Sequence, residues 1–107
     1  MFPALRVQVT ATRFRVPDVC VLVEDAPDEQ VVTTPPMLCI EILSPEDRSK
    51  RYMDRVNDYF KMGVPWCWII DPVARQAWIA TPGNLAEARD GILQAGDIEM
   101  PLAAVLK

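Results

Sequence analysis

The sequence predicts an α/β fold, and three observations carry that prediction. Residues 37–43 (MLCIEIL) form a near-continuous apolar run, the pattern of a strand covered on both faces. An amphipathic helical pattern follows within a few residues. A second apolar strand, residues 66–71 (WCWIID), closes the unit. Such a strand–helix–strand unit crosses over right-handed and leaves its two strands parallel. The 107 residues fit one domain, 1–107, and 50% of them are apolar, so a core is available.

The elements read as follows. Residues 4–10 (ALRVQVT) alternate and predict a strand, which 12–16 either continue or join as a short partner. Pro17 breaks the pattern, and Asp18 to Val23 predict a β-branched, largely apolar strand. Residues 24–36 (EDAPDEQVVTTPP) are polar and proline-bearing, hence a loop. Ser44 suits an N-cap, Pro45 a first helical residue, and Asp47 completes a capping box. The helix should run to about Met62, with Gly63 at C′ and Pro65 preventing continuation. Tyr52, Met53, Val56, Tyr59 and Phe60 gather on one face, with Lys50, Asp54, Asp58 and Lys61 on the other. Residues 71–74 form a turn, and 75–80 (RQAWIA) return as the second strand of an antiparallel hairpin. Residues 81–90 read as a loop, 91–94 as a short strand and 101–106 as a terminal helical turn.

Composition narrows the chemistry. A net charge of −4 argues against broad, sequence-independent DNA affinity, which rests on Lys and Arg neutralising phosphates. DNA stays open as a substrate, because a small basic cleft and a bound divalent metal supply positive charge locally. The chain has no histidine, which removes Ser-His and Cys-His nucleophile systems. Catalysis must then use carboxylates, Lys, Arg, Tyr or a metal. Cys20, Cys39 and Cys67 each sit in an apolar run and predict buried, reduced thiols, consistent with a cytoplasmic location. Their spacing fits no zinc site. No segment approaches the ~18 apolar residues of a membrane helix, and the N-terminus lacks a signal-peptide core. No helix-turn-helix or zinc finger is present to read a target sequence.

Three residues stand out. Glu41 interrupts an apolar strand, and a buried carboxylate is expensive unless it is paired or binds a metal. Asp18 opens another apolar strand. If the two strands are neighbours, both carboxylates can share one hard divalent cation. Arg55, with Arg48, lies beside the apolar stripe of the helix and can reach the strand ends. The plainer readings are a Glu41 that faces solvent or pairs with Arg48 or Arg55 for structure alone, a turn aspartate at Asp18, and a snorkelling Arg55.

Pro17-Asp18-Val19, Pro35-Pro36, Ile40-Glu41-Ile42-Leu43-Ser44-Pro45, then Tyr59, Gly63-Val64-Pro65 and Trp68-Ile69-Ile70-Asp71-Pro72 appear in one unbroken order. In combination they resemble the Uma-type restriction endonuclease family, a large bacterial group within the PD-(D/E)xK nuclease superfamily. The resemblance implies a restriction-endonuclease-like mixed sheet flanked by helices, with Mg²⁺ or Mn²⁺ as cofactor, DNA as partner and phosphodiester hydrolysis as the reaction. By that comparison Asp18 and Glu41 are metal ligands and catalytic, and the backbone carbonyl of Ile42 completes the inner ligand set. The superfamily usually carries a lysine two residues after the glutamate, where this chain has Leu43. Members of the Uma-type group place that lysine on the following helix, and the matching residue here is Arg55. Arginine keeps the charge and can clamp a phosphate, but it is too basic to exchange a proton near neutral pH. Lys50 falls toward the solvent side of the helix. Similar proteins carry a further N-terminal segment, so this chain reads as a shortened version, with an exposed apolar patch and a homodimer as expectations. Two other readings stand beside the nuclease: a catalytically silent nuclease-fold fragment acting as a binding or dimerisation module, and a small non-enzymatic α/β protein.

Overall fold

The computed structural model describes residues 2–3, 6–8, 14–15, 19–22, 31–32, 34–44 and 51–106. Its main element is a six-stranded mixed sheet with the order β1-β4-β6-β7-β8-β9. These strands are β1 (Phe2–Pro3), β4 (Val19–Val21), β6 (Leu38–Ile42), β7 (Trp66–Asp71), β8 (Gln76–Thr81) and β9 (Asn84–Glu87). A three-stranded sheet combines β2 (Arg6–Gln8), β3 (Phe14–Arg15) and β5 (Val31–Val32). A hairpin pairs β10 (Ile92–Ala95) with β11 (Ile98–Pro101), and the described residues also include two helices, α1 (Arg51–Met62) and α2 (Leu102–Val105).

The apolar run at 37–43 is β6, inside the main sheet. It runs antiparallel to β4, with Val19 opposite Ile40 and Cys20 opposite Cys39. On its other side it runs parallel to β7, with Glu41 opposite Ile69, and α1 lies between the two strands in sequence. The ladder extends past the strand end, where the Leu43 amide donates to the Ile70 carbonyl at 2.8 Å. Strand alternation then sorts the core into two layers. Cys39, Leu43, Cys67 and Ile69 pack with Val56 and Tyr59 of α1 and Val7 of β2. Leu38, Ile40, Trp68 and Ile70 pack with Leu93, Ala95 and Leu102. Trp68 is fully buried, and its indole N–H donates to the Gln94 carbonyl at 2.9 Å, tying the sheet to the hairpin beneath it. The second face is therefore covered by a hairpin and one short helix, which is why both faces of β6 are apolar.

Helix α1 ends as its sequence dictates. Gly63 takes φ 111°, and its amide donates to the Phe60 carbonyl at 3.0 Å while the Val64 amide donates to the Tyr59 carbonyl at 3.0 Å. These are the two hydrogen bonds of a Schellman cap, and Tyr59 and Val64 supply its usual apolar contact within one core cluster. The capping-box start at Ser44–Asp47 lies partly outside the described residues.

Several expectations are corrected. The 24–36 loop contains β5, which pairs parallel with β2. The 81–90 loop contains β9, an edge strand whose residues are all exposed, so burial leaves no alternation to read. β11 follows a two-residue Gly96-Asp97 turn, a hairpin signal present in the sequence but not used. Asp58, placed on the polar face of α1, is buried. The helical wheel assumed one covered face, whereas α1 has cover on the flank carrying Asp58 as well. Within the 12–16 stretch, the described residues Phe14–Arg15 form a short partner, β3, antiparallel to β2. The predicted hairpin of 66–80 is β7 with β8, and the terminal helical turn is α2.

Candidate active site

Glu41 is the penultimate residue of β6, and its side chain is 3% exposed. Strand alternation puts it on the helix-covered face with Cys39 and Leu43. Two residues of α1, one turn apart, address its two oxygens. The Tyr59 hydroxyl donates to Oε1 at 2.5 Å, within the short range of hydrogen bonds to an ionised acceptor. The Arg55 Nε lies 3.4 Å from Oε2 as an ion pair, with the arginine side chain 22% exposed. Residues at i and i+4 share a helix face, so the spacing of Arg55 and Tyr59 is what lets one helix engage both oxygens.

Tyr59 is fully buried. Burial pushes its hydroxyl well above the ordinary tyrosine range, and the Glu41 charge and the hydrogen bond to it push further. The hydroxyl therefore remains a donor. The three thiols line up on neighbouring strands, Cys20 opposite Cys39 and Cys39 opposite Cys67. All three are buried and free, and burial raises each thiol's pKa. Protonated thiols are poor metal ligands, so the hard donor offered beside them is the carboxylate oxygen of Glu41.

Of the residues singled out in the sequence, Glu41 and Arg55 meet. Ile42 follows Glu41 at the end of β6. Leu43 is a core residue. Asp18, Arg48 and Lys50 lie outside the described residues. Tyr59 was read as an apolar-face residue, and its role as the donor to Glu41 was missed. The signal for it was its position four residues after Arg55 on the same helix. Among the described residues, no three His, Cys, Asp or Glu side chains gather to cage a metal ion. Magnesium does not require such a cage, since it binds through one or two carboxylates and keeps several waters.

A mixed sheet whose central strand presents a buried glutamate to the following helix defines an α/β protein of the restriction-endonuclease-like fold. The family model of Uma2, described as "Putative restriction endonuclease", matches residues 1–105, and the chain belongs to that family. Among solved structures it is similar to a crystal structure of "a putative nuclease belonging to DUF820" from Anabaena variabilis, with a TM-score of 0.77 and 20% sequence identity. The likeness covers 98% of this chain and 66% of that one, so the chain spans just under two thirds of its neighbour's length. No curated protein matches the chain. No helix among the described residues is long and apolar enough to cross a membrane.

Proposed function

We propose that this chain is a metal-dependent nuclease that hydrolyses phosphodiester bonds in DNA, with Glu41 and Asp18 as ligands of one Mg²⁺ or Mn²⁺. The observation that carries the reading is the buried Glu41 carboxylate, held at a strand end between a tyrosine hydroxyl and an arginine. Its oxygen chemistry suits a hard cation. Asp18, which precedes β4 in sequence, is taken as the second ligand on the resemblance to the family. Val19 stands opposite Ile40, Glu41 follows Ile40, and Asp18 is bonded to Val19.

The divalent cation supplies Lewis acidity toward a phosphoryl oxygen and lowers the pKa of water. Glu41 and Asp18 would hold it, with the Ile42 carbonyl as a further oxygen donor. Arg55 neutralises Glu41 and offers a planar guanidinium to a phosphate. It stays protonated throughout, so it stabilises charge and moves no proton.

Incubating supercoiled plasmid with the protein and Mg²⁺ or Mn²⁺ tests this reading. Nicking that disappears in both Asp18→Ala and Glu41→Ala is the expected result. No nicking, together with no shift in melting temperature on adding metal, would leave Arg55–Glu41 as a structural ion pair in a silent nuclease fold.

A further inference from the structure

The hydroxyl of Tyr59 is not needed for packing. The ring fills a fully buried position among Val56, Val64, Leu43 and Ile69, and phenylalanine would fill almost the same volume. A hydroxyl in such a place is costly unless it is hydrogen-bonded. Here it donates to the oxygen of Glu41 opposite the one that faces Arg55.

The backbone beneath it is also fixed. The Tyr59 carbonyl accepts from the amides of Gly63 and Val64 at the helix cap. Gly63 can supply that cap because it tolerates φ 111°, and a Cβ there would lie 3.3 Å from Pro35 Cγ. The capped helix end therefore holds Tyr59, and Tyr59 reaches across to β6.

We propose that Tyr59 is a positioning residue, whose hydroxyl fixes the plane of the Glu41 carboxylate so that it meets a divalent cation in one orientation. This rests on the reading of Glu41 as a metal ligand. Hydrogen bonds that orient metal ligands typically contribute 10–100-fold in metal affinity. Tyr59 touches neither metal nor substrate in this account and acts only through Glu41.

The test is Mn²⁺ affinity, measured by calorimetry on wild type, Tyr59→Phe and Tyr52→Phe, with circular dichroism as a check on folding. Tyr59→Phe should bind Mn²⁺ about tenfold or more weakly. Tyr52→Phe, which changes the chain's other tyrosine, should bind as wild type does. A folded Tyr59→Phe with wild-type affinity overturns the proposal and leaves the metal reading intact. A wild type that binds no Mn²⁺ overturns both. If Tyr59→Phe does not fold, the near-ultraviolet tyrosine difference spectrum of wild type on adding Mn²⁺ decides. A perturbation that is absent in Glu41→Gln supports the proposal, and its absence in wild type contradicts it.

Discussion

The two oxygens of Glu41 have different partners, and that difference sets what substitutions do. Glutamine keeps the volume of Glu41 and an acceptor for the Tyr59 hydroxyl. The Arg55 Nε that faces Glu41 is buried, while the arginine side chain as a whole keeps 22% exposure. Glu41→Gln should therefore shift folding stability by no more than about 1 kcal/mol while abolishing Mn²⁺ binding. Denaturant unfolding measures the first and calorimetry the second. A loss of several kcal/mol would instead mark a structural ion pair. Glu41→Ala should be worse, at about 1–3 kcal/mol, because a buried hydroxyl loses its acceptor. Arg55→Lys should raise plasmid cleavage, since an ammonium can approach as a point charge and exchange protons where a guanidinium cannot. No gain would count against Arg55 as the stand-in for the missing lysine. At this scale the sequence disclosed Glu41 and Arg55, because a charge inside an apolar run and a cation beside an apolar stripe are both local patterns. It did not disclose Tyr59, because an aromatic ring on an apolar face looks the same with or without a polar partner.

Among the elements, those with long apolar runs or helical periodicity were legible, and short or exposed strands were missed. β6, β7 and α1 announce themselves through continuous or 3.6-period hydrophobicity, and Gly63 announces the cap. β9 is wholly exposed and β5 has two residues, so neither has a pattern to read, while the sign of β11 lay in its Gly96-Asp97 turn rather than in its four residues. Two substitutions test the packing assigned to elements. Gly63→Ala should cost about 1–3 kcal/mol, because an L-residue at φ 111° is strained and its Cβ crowds Pro35. Trp68→Phe should cost a similar amount, about 1–3 kcal/mol, by leaving the Gln94 carbonyl without its indole donor. Thermal melts of each variant check both, and an unchanged melting temperature for Trp68→Phe would mean that the hairpin is held by apolar contact alone.

For the molecule as a whole, the buried thiols and the buried tyrosine predict its response to alkali. Cys20, Cys39, Cys67 and Tyr59 all lose protons later in the folded chain than in the unfolded one, chiefly because burial disfavours their charged forms. As pH rises past the ordinary cysteine range, about 8.5, the unfolded state sheds protons that the folded state retains. Stability is thus full below that range and falls above it, by about 1.4 kcal/mol per pH unit for each titrating group. The melting temperature should drop steadily between about pH 8.5 and 10.5. The drop should be shallower in a Cys39→Ala, Cys67→Ala double variant, and a flat profile in wild type would contradict the burial assigned to these groups. The α/β class and the parallel strand–helix–strand unit were legible in the sequence at this scale. The second cover of the sheet, a hairpin with one short helix, was not, because an apolar strand face does not reveal what kind of element lies on it.

The proposed function requires one cation held by both Glu41 and Asp18. Anomalous diffraction from a crystal soaked in Mn²⁺ measures this directly. A single manganese peak about 2.1 Å from a carboxylate oxygen of both Glu41 and Asp18 is the predicted result. Glu41 still bound to Arg55 and Tyr59 with no manganese beside it, or a manganese that reaches only one of the two carboxylates, would contradict it.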